Sequence, residues 1–347
     1  MSLATANDLG FKKLALIGCG LMGGSFALAL REAGAVQRIV GYSTTAATRE
    51  RAVQLKVIDQ SCNSVAEAVQ DADLVLLAVP VAATQSSFAA MAPVLAPHAL
   101  VMDVGSTKCD VALAAHNTLG ERLSCFVPAH PIAGKEVAGI EHADSRLYQQ
   151  RRTILTPLTR TGIKQIALAQ KVWTAIGSQV SLMKPQDHDA TFAAVSHLPH
   201  LLAFAAVNGV LAQEEGSEYL DMAGPGFRDF SRIAASDAAV WRDILSANKQ
   251  EVLKQLGHFQ QALQAFEHAL TQDDTAQLQQ LIAQASAARS AWRLQAGQAC
   301  SEDASSAASP AASPAASPAA SSAASAATSA AATAPATATT GEPRPAP

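Results

Sequence analysis

Basic residues do not outnumber acidic ones in this chain. Its 25 Lys and Arg stand against 29 Asp and Glu, a formal net charge of -4. Nucleic acids are held through a surplus of positive charge, so no such partner is expected. Cysteine is scarce: Cys19, Cys62, Cys109, Cys125 and Cys300 are odd in number and form no C-x-x-C pair. That pattern argues against a disulfide frame or a cysteine zinc site and predicts reduced thiols in a cytoplasm. The first ten residues lack the basic start and apolar core of a signal peptide. From Leu74 to Met102 charged residues are missing, but Pro80, Gln85, Pro93, Pro97 and His98 break the run into strand, helix and strand. No membrane span is expected there. The expectation is a soluble, cytoplasmic protein without nucleic-acid or membrane partners.

What is present starts with LALIGCGLMGGS, Leu14 to Ser25. Apolar residues Leu14, Leu16 and Ile17 read as a buried strand, and Phe26, Leu28 and Leu30 continue a helix. Between them Gly18, Gly20 and Gly23 have G-x-G-x-x-G spacing. The first glycine permits a tight turn, the second the approach of a pyrophosphate, and the third close helix–sheet packing. A second strand, Arg38 to Tyr42, follows at the distance a dinucleotide site requires. Further on come a helix from Ala46 to Gln54, a short Val57-Ile58 piece, and a helix near Ser64 to Val69. The strand LVLLAVPV, a helix near Ala83 to Met91 and a strand from Ala99 to Val104 complete the alternation. Such alternation predicts a doubly wound, mainly parallel α/β sheet. Strands at Cys125 to Val127, Thr153 to Thr156 and Val180 to Leu182 are expected as well, with a helix from Ile163 to Ile176.

From about Pro185 the pattern is helical, with apolar residues three and four apart, and helical stretches recur at Ala238 to Leu270 and Thr275 to Ala296. After Ser301 only Ala, Ser, Pro, Thr and a few other polar residues remain. Nothing there offsets the entropy of ordering, so a disordered tail is expected. The expected divisions are an N-terminal extension over 1–11, a dinucleotide-binding domain over 12–183, a helical domain over 184–298 and the tail over 299–347.

The residue closing the second strand decides how an adenosine ribose is held. An acidic residue there binds the 2′-OH of NAD, whereas this chain has Ser43, then Thr44, Thr45, Arg49 and Arg51. Hydroxyls and a helix start suit a 2′-phosphate, which predicts that NADP is accepted or preferred. The cofactor contacts expected are Gly18, Gly20, Leu21, Met22, Gly23, Ser43, Thr44, Arg49, Val79 and Pro80.

Three polar segments follow. In MDVGSTK, Ser106 is either a helix N-cap or a contact near the nicotinamide. In FVPAHPIAGKEVAG, His130 lies in a glycine-bearing loop, and an imidazole suits removal of a hydroxyl proton as hydride leaves the same carbon. Asp187 to His200 brings His188, Ser196, His197 and His200. No H-E-x-x-H pattern or cysteine accompanies them, so no metal is expected.

IGCGLMGGS, DVGSTK, HPIAGKEVAG, SHLPH and GFRDFSRIAASD, in this order, resemble the prephenate/arogenate dehydrogenase family of tyrosine biosynthesis over about residues 12 to 295. The resemblance implies a Rossmann domain followed by an all-α substrate and dimerisation domain that forms an intertwined homodimer. It implies an NAD(P)-dependent oxidative decarboxylation of prephenate to 4-hydroxyphenylpyruvate, with arogenate as the alternative substrate. It gives His130 the base role and has Ser106 hold the 4-hydroxyl. Arg232 clamps the ring carboxylate, and Arg228 attracts the dianion or contacts the substrate's side chain. His188, Ser196, His197 and His200 line the substrate end under Trp241, which otherwise serves as a core or interface residue. Glu136 and Asp229 resemble acidic residues in gating or intersubunit ion pairs. More remote alternatives are a β-hydroxyacid dehydrogenase or imine reductase and a non-catalytic NADP(H) sensor. The first has no need of the HPIAG and SHLPH segments, and the second would not keep Ser106, His130 and Arg232 together.

Overall fold

The structure is a computed structural model and describes residues 9–135 and 137–292. The expected extension (but for its last residues), Glu136 and the expected tail therefore lie outside the described residues. The chain begins with β1 (Phe11–Ile17), α1 (Leu21–Glu32), β2 (Val36–Tyr42), α2 (Ala46–Gln54), β3 (Gln60–Ser61), α3 (Val65–Val69), β4 (Leu74–Leu77), α4 (Thr84–Met91), β5 (Leu100–Asp103), α5 (Cys109–Thr118) and β6 (Phe126–Val127). These six strands form one all-parallel sheet in the order β3-β2-β1-β4-β5-β6. Leu14, Leu16, Ile17, Leu74, Leu76 and Val101 are wholly buried, as expected for strands covered by helices on both faces. The expected doubly wound sheet is present. The short strand after α2 is Gln60–Ser61, and the Val57-Ile58 piece before it is buried in the core with residues of α1.

A second sheet was not foreseen as a unit. It comprises β7 (Ala129–Pro131), β8 (Arg152–Leu155) and β9 (Gln179–Leu182), with α6 (Ile163–Ala175) between the last two. β7 runs antiparallel to β8, pairing His130 with Ile154. His130 is thus in a strand and not in a loop. Pro131 is tolerated because β7 is the edge of this sheet, where a missing N–H breaks no ladder.

The helical half contains α7 (Pro185–Phe192), α8 (Leu198–Leu211), α9 (Gly216–Asp221), α10 (Pro225–Ser231), α11 (Ala238–Ala247), α12 (Lys249–Thr271) and α13 (Thr275–Ala291). Two breaks depart from the sequence reading. A π-helical turn, Ala193–His197, separates α7 from α8. Pro199 lacks an N–H and crowds the carbonyl four residues back, so an ordinary helical turn is disfavoured here. The single stretch expected from Ala238 to Leu270 divides at Asn248, whose side chain serves the buried site described below.

Candidate active site

The glycine loop connects β1 to α1 as its spacing requires. Gly18 has φ +102°, and a Cβ there would sit 2.1 Å from the Ala78 carbonyl oxygen. At Gly23 a Cβ would lie 2.3 Å from the Gly18 carbonyl oxygen, whereas at Gly20 it would meet nothing within 4 Å. The first and third glycines serve packing, and the second leaves room for a ligand against the backbone. The first turn of α1 carries no acidic residue. A cleft of about 930 Å³ opens beside this loop, and its lining includes Gly18, Gly20, Ser43, Thr44, Val79 and Pro80. These features fit a dinucleotide.

Four other residues of the expected cofactor set do not line that cleft. Leu21 and Gly23 are buried in the helix–sheet contact. The Met22 carbonyl accepts from the Tyr148 hydroxyl at 2.7 Å, which ties the loop after β7 to α1. Arg49 corrects the expectation most clearly. Its guanidinium donates to the Ser43 carbonyl at 2.6 Å and lies 5.9 Å from the Tyr42 ring centre. Arg51, two residues further along α2 and so on the opposite side of the helix, lines the cleft instead, together with Glu141.

Beyond β5 lies a buried polar network. Lys108 is fully buried and its ammonium donates to Asp103 Oδ2 and, at 2.9 Å, to the Ala129 carbonyl. Asp103 Oδ1 accepts from the Ala129 N–H at 2.9 Å. The ion pair therefore grips both backbone groups of the residue before His130. Ser106 is half-buried within this turn. It is not the N-cap of α5. The N–H groups of Lys108 and Cys109 at that helix start donate to Asp189 Oδ1 and Oδ2, each at 2.8 Å.

Asp189 also determines the tautomers of two histidines. A carboxylate only accepts, so the 2.8 Å contact from His188 Nδ1 to Asp189 Oδ1 puts the hydrogen on His188 Nδ1. In neutral His188, Nε2 is then an acceptor, and it takes the hydrogen of His130 Nδ1 at 2.8 Å. His130 Nε2 is left with its lone pair. Phe192 packs against both rings, its centre 4.8 Å from that of His130 and 4.6 Å from that of His188. Burial, with the neighbouring His188, Lys108 and His197, holds His130 well below the ordinary imidazole range, so it is neutral at pH 7. Asp189 is pushed up by burial but more strongly down by His188 and the two backbone amides, and stays ionised.

The SHLPH segment packs against Trp241 and Asn248. His200 stacks on Trp241 of α11 with ring centres 3.5 Å apart, its Nδ1 on the Ser196 carbonyl at 2.9 Å. Asn248 Nδ2 donates to the Asp189 carbonyl at 2.8 Å and to His197 Nδ1 at 3.1 Å. The His197 hydrogen therefore sits on Nε2, a buried atom with no protein partner. Burial lowers the His197 pKa to about 4.

Of the expected substrate residues, His188 is wholly buried. Its ring is held between His130 Nδ1 and Asp189 Oδ1, at 2.8 Å from each. Ser196 contributes its carbonyl. Arg232 opens a short turn, Arg232–Ala235, that packs on α8, and its side chain is exposed in the single chain. Arg228 and Asp229 pair with each other at 3.2 Å, and both are exposed. Asp229 thus makes its ion pair with its own neighbour in the sequence. The reading from sequence missed Asp103, Lys108, Asp189, Asn248 and Glu141, and named Arg51 only beside Arg49. For the first two a signal existed: both charges flank Ser106 in the flagged MDVGSTK segment.

A parallel sheet of this order, a glycine loop at its switch point and a neutral imidazole beyond its strand ends define a nicotinamide-dinucleotide-dependent dehydrogenase. The chain matches the family model of the prephenate dehydrogenase nucleotide-binding domain over residues 26–182 and that of the prephenate dehydrogenase dimerisation domain over residues 184–284. It is 35% identical over 266 residues to cyclohexadienyl dehydrogenase of Zymomonas mobilis, covering 76% of this chain and 90% of that protein. Identity to prephenate dehydrogenase of Bacillus subtilis is 33% over 269 residues, 76% of this chain and 71% of that one. Among solved structures, prephenate dehydrogenase from A. aeolicus in complex with hydroxyphenyl propionate and NAD+ aligns with a TM-score of 0.76 and 35% identity, over 80% of this chain and 97% of that one. The chain belongs to the prephenate dehydrogenase family.

Proposed function

We propose that this chain oxidatively decarboxylates prephenate to 4-hydroxyphenylpyruvate, and that it accepts NADP as well as NAD. The observation that carries the reading is the hydrogen-bonded line Asp189–His188–His130, which leaves Nε2 of a neutral imidazole as a base. When bound, the dinucleotide supplies the hydride acceptor for C4. His130 Nε2 takes the proton of the 4-hydroxyl as the C4–O bond becomes a carbonyl. The ring carboxylate then leaves as CO2, its bonding electrons enter the ring, and the carbonyl oxygen regains a proton as the phenol. General base catalysis of this kind contributes about 10²–10⁴-fold.

Ser106 is assigned to orienting the hydroxyl. Arg232 is assigned to the ring carboxylate, where a planar guanidinium gives two parallel hydrogen bonds. His197 Nε2–H and His200, under Trp241, are assigned to the remaining oxygens, with Arg228 drawing in the dianion. Glu136 and Asp229 keep an expected role in the ion pairs of the cleft or subunit contact.

The active unit in this proposal is a homodimer through the helical half. The run Pro185–Leu211 is long and apolar enough to cross a membrane, with mean hydropathy 1.5 and 22% of the window buried. Yet it carries His188, Asp189 and His197 into the site, so a second copy is the fitting cover for its apolar surface. The described cysteines are all free thiols, in keeping with a cytoplasmic enzyme.

The test is reduced-cofactor formation with prephenate and with arogenate, each with NAD and NADP. Turnover of prephenate supports the proposal. Arogenate differs in an amino group where prephenate has a keto group, and turnover of arogenate alone transfers the same chemistry to it. No turnover of either overturns the reading.

A further inference from the structure

Among the described residues lining the dinucleotide cleft there is one side-chain carboxylate, Glu141, and one side-chain cation, Arg51. They are ninety positions apart in sequence and meet at 3.2 Å, Arg51 Nε to Glu141 Oε1. Arg51 also donates to Gln54 at 3.3 Å, so its guanidinium is held from two sides. The turn bearing Glu141 is built to hold this position. Gly139 has φ +107°, and a Cβ there would lie 3.0 Å from Glu141 Oε2. Ile140 is buried on α1, where a Cβ on Gly24 would come within 2.5 Å of its Cδ1.

The opposite wall has the reverse character. Ser43 and Thr44 close β2 without an acidic residue, and α2 starts at the Thr45 cap with no acid in its first turn. Hydroxyls, the start of α2 and Arg51 form a wall suited to a phosphate. Facing them, Glu141 is a carboxylate suited to a ribose hydroxyl and repulsive to a phosphate.

We propose that Arg51 and Glu141 together select the cofactor: Arg51 binds the 2′-phosphate of NADP, while Glu141 binds the 2′-hydroxyl of NAD and competes with the phosphate for Arg51. The acidic residue that an NAD site usually carries at the end of its second strand is here delivered from the turn after β7. Because the pair is self-neutralised, neither cofactor is excluded. This rests on the dehydrogenase reading only in taking the cleft to be the dinucleotide site.

The test uses the full chain with Arg51→Gln, Glu141→Gln and both. The side chains of Arg51 and Glu141 are 45% and 49% exposed, so neither change disturbs the core. Affinities for NADPH and NADH are read by nicotinamide fluorescence without any second substrate, and kcat/KM is then measured with NADP and NAD. Loss of a charged hydrogen bond predicts that Arg51→Gln lowers the NADPH-to-NADH affinity ratio about ten- to a hundredfold. Glu141→Gln raises the ratio, and raises it less when Arg51 is already Gln, because part of its effect is release of that guanidinium. A ratio unmoved by Arg51→Gln, or lowered by Glu141→Gln, overturns the selector. If the ratios move as stated but prephenate is not turned over, the substrate reading fails and the selector stands. Turnover with unmoved ratios sinks the selector alone.

Discussion

His130 Nδ1 stands 2.8 Å from His188 Nε2, and through that contact an aspartate two residues' reach away dictates which nitrogen of His130 is basic. The two histidines then work as a unit. His130→Asn is expected to lower kcat by about 10²–10⁴-fold, the span of general base catalysis, with prephenate still bound. His188→Leu removes the acceptor that fixes the tautomer and is expected to cost part of that factor. The double variant should be no slower than His130→Asn, since residues acting together are not additive. Steady-state kcat for the three proteins decides it, and additive losses would separate His188 from the base.

The pH dependence of the rate follows from the same burial. His130 must be neutral to accept a proton, and its pKa in the folded protein lies well below 6.5. The acid limb of kcat/KM is therefore expected below pH 6.5, with no loss as pH falls from 7 toward that value. A limb centred at or above 6.5 would assign it to a different group.

The sheet was legible because its signals are local. Leu14 to Ile17 and the three glycines declare a strand, a turn and a helix within a dozen residues, and each side chain does its work next to its neighbours. β7 was not legible. Three residues containing His130 and Pro131 have no strand pattern, and they form a strand only because Arg152–Leu155 offers an edge and Asp103 holds Ala129. Histidines at 130, 197 and 200 could be flagged as polar residues without a packing reason. Their order could not, since it depends on Asp189 capping a helix eighty positions earlier and on Asn248 ending α11. Arg49 and Arg51 looked equivalent in sequence. Only the carbonyls of Ser43 and Thr44 distinguish them, by taking up the first.

Stability should also fall with acid, and in a defined window. Burial lowers the folded-state pKa values of His130, His188, His197 and His200. The unfolded chain then binds more protons than the folded one between those values and 6.5, so stability rises with pH across that interval. It is fully present above 6.5 and is lost as pH drops toward about 4, where His197 titrates in the folded protein. Urea midpoints at a series of pH values test this. A midpoint constant between 6.5 and 4 would mean that the histidines are solvated.

Arg232→Ala is expected to act mainly on KM. A charged hydrogen bond is worth about 1.5–3 kcal/mol, which corresponds to roughly ten- to a hundredfold in prephenate KM. Arg232→Lys should recover only part, because an ammonium lacks the planar fork. An unchanged KM would show that the ring carboxylate is held elsewhere.

Lys108 tests whether the ion pair behind the site is architecture or chemistry. It is fully buried with Asp103, and the pair holds the N–H and carbonyl of Ala129 next to the base. Lys108→Met leaves a buried carboxylate without its counterion, a change that costs about 3–5 kcal/mol. Substituting both, as Lys108→Met with Asp103→Leu, removes the stranded charge and should restore much of that stability while leaving Ala129 without its two partners. If the pair only stabilises the fold, the double variant regains both its urea midpoint and its kcat. If it positions His130, the midpoint returns and kcat does not, and that second outcome is the one the Ala129 contacts lead us to expect.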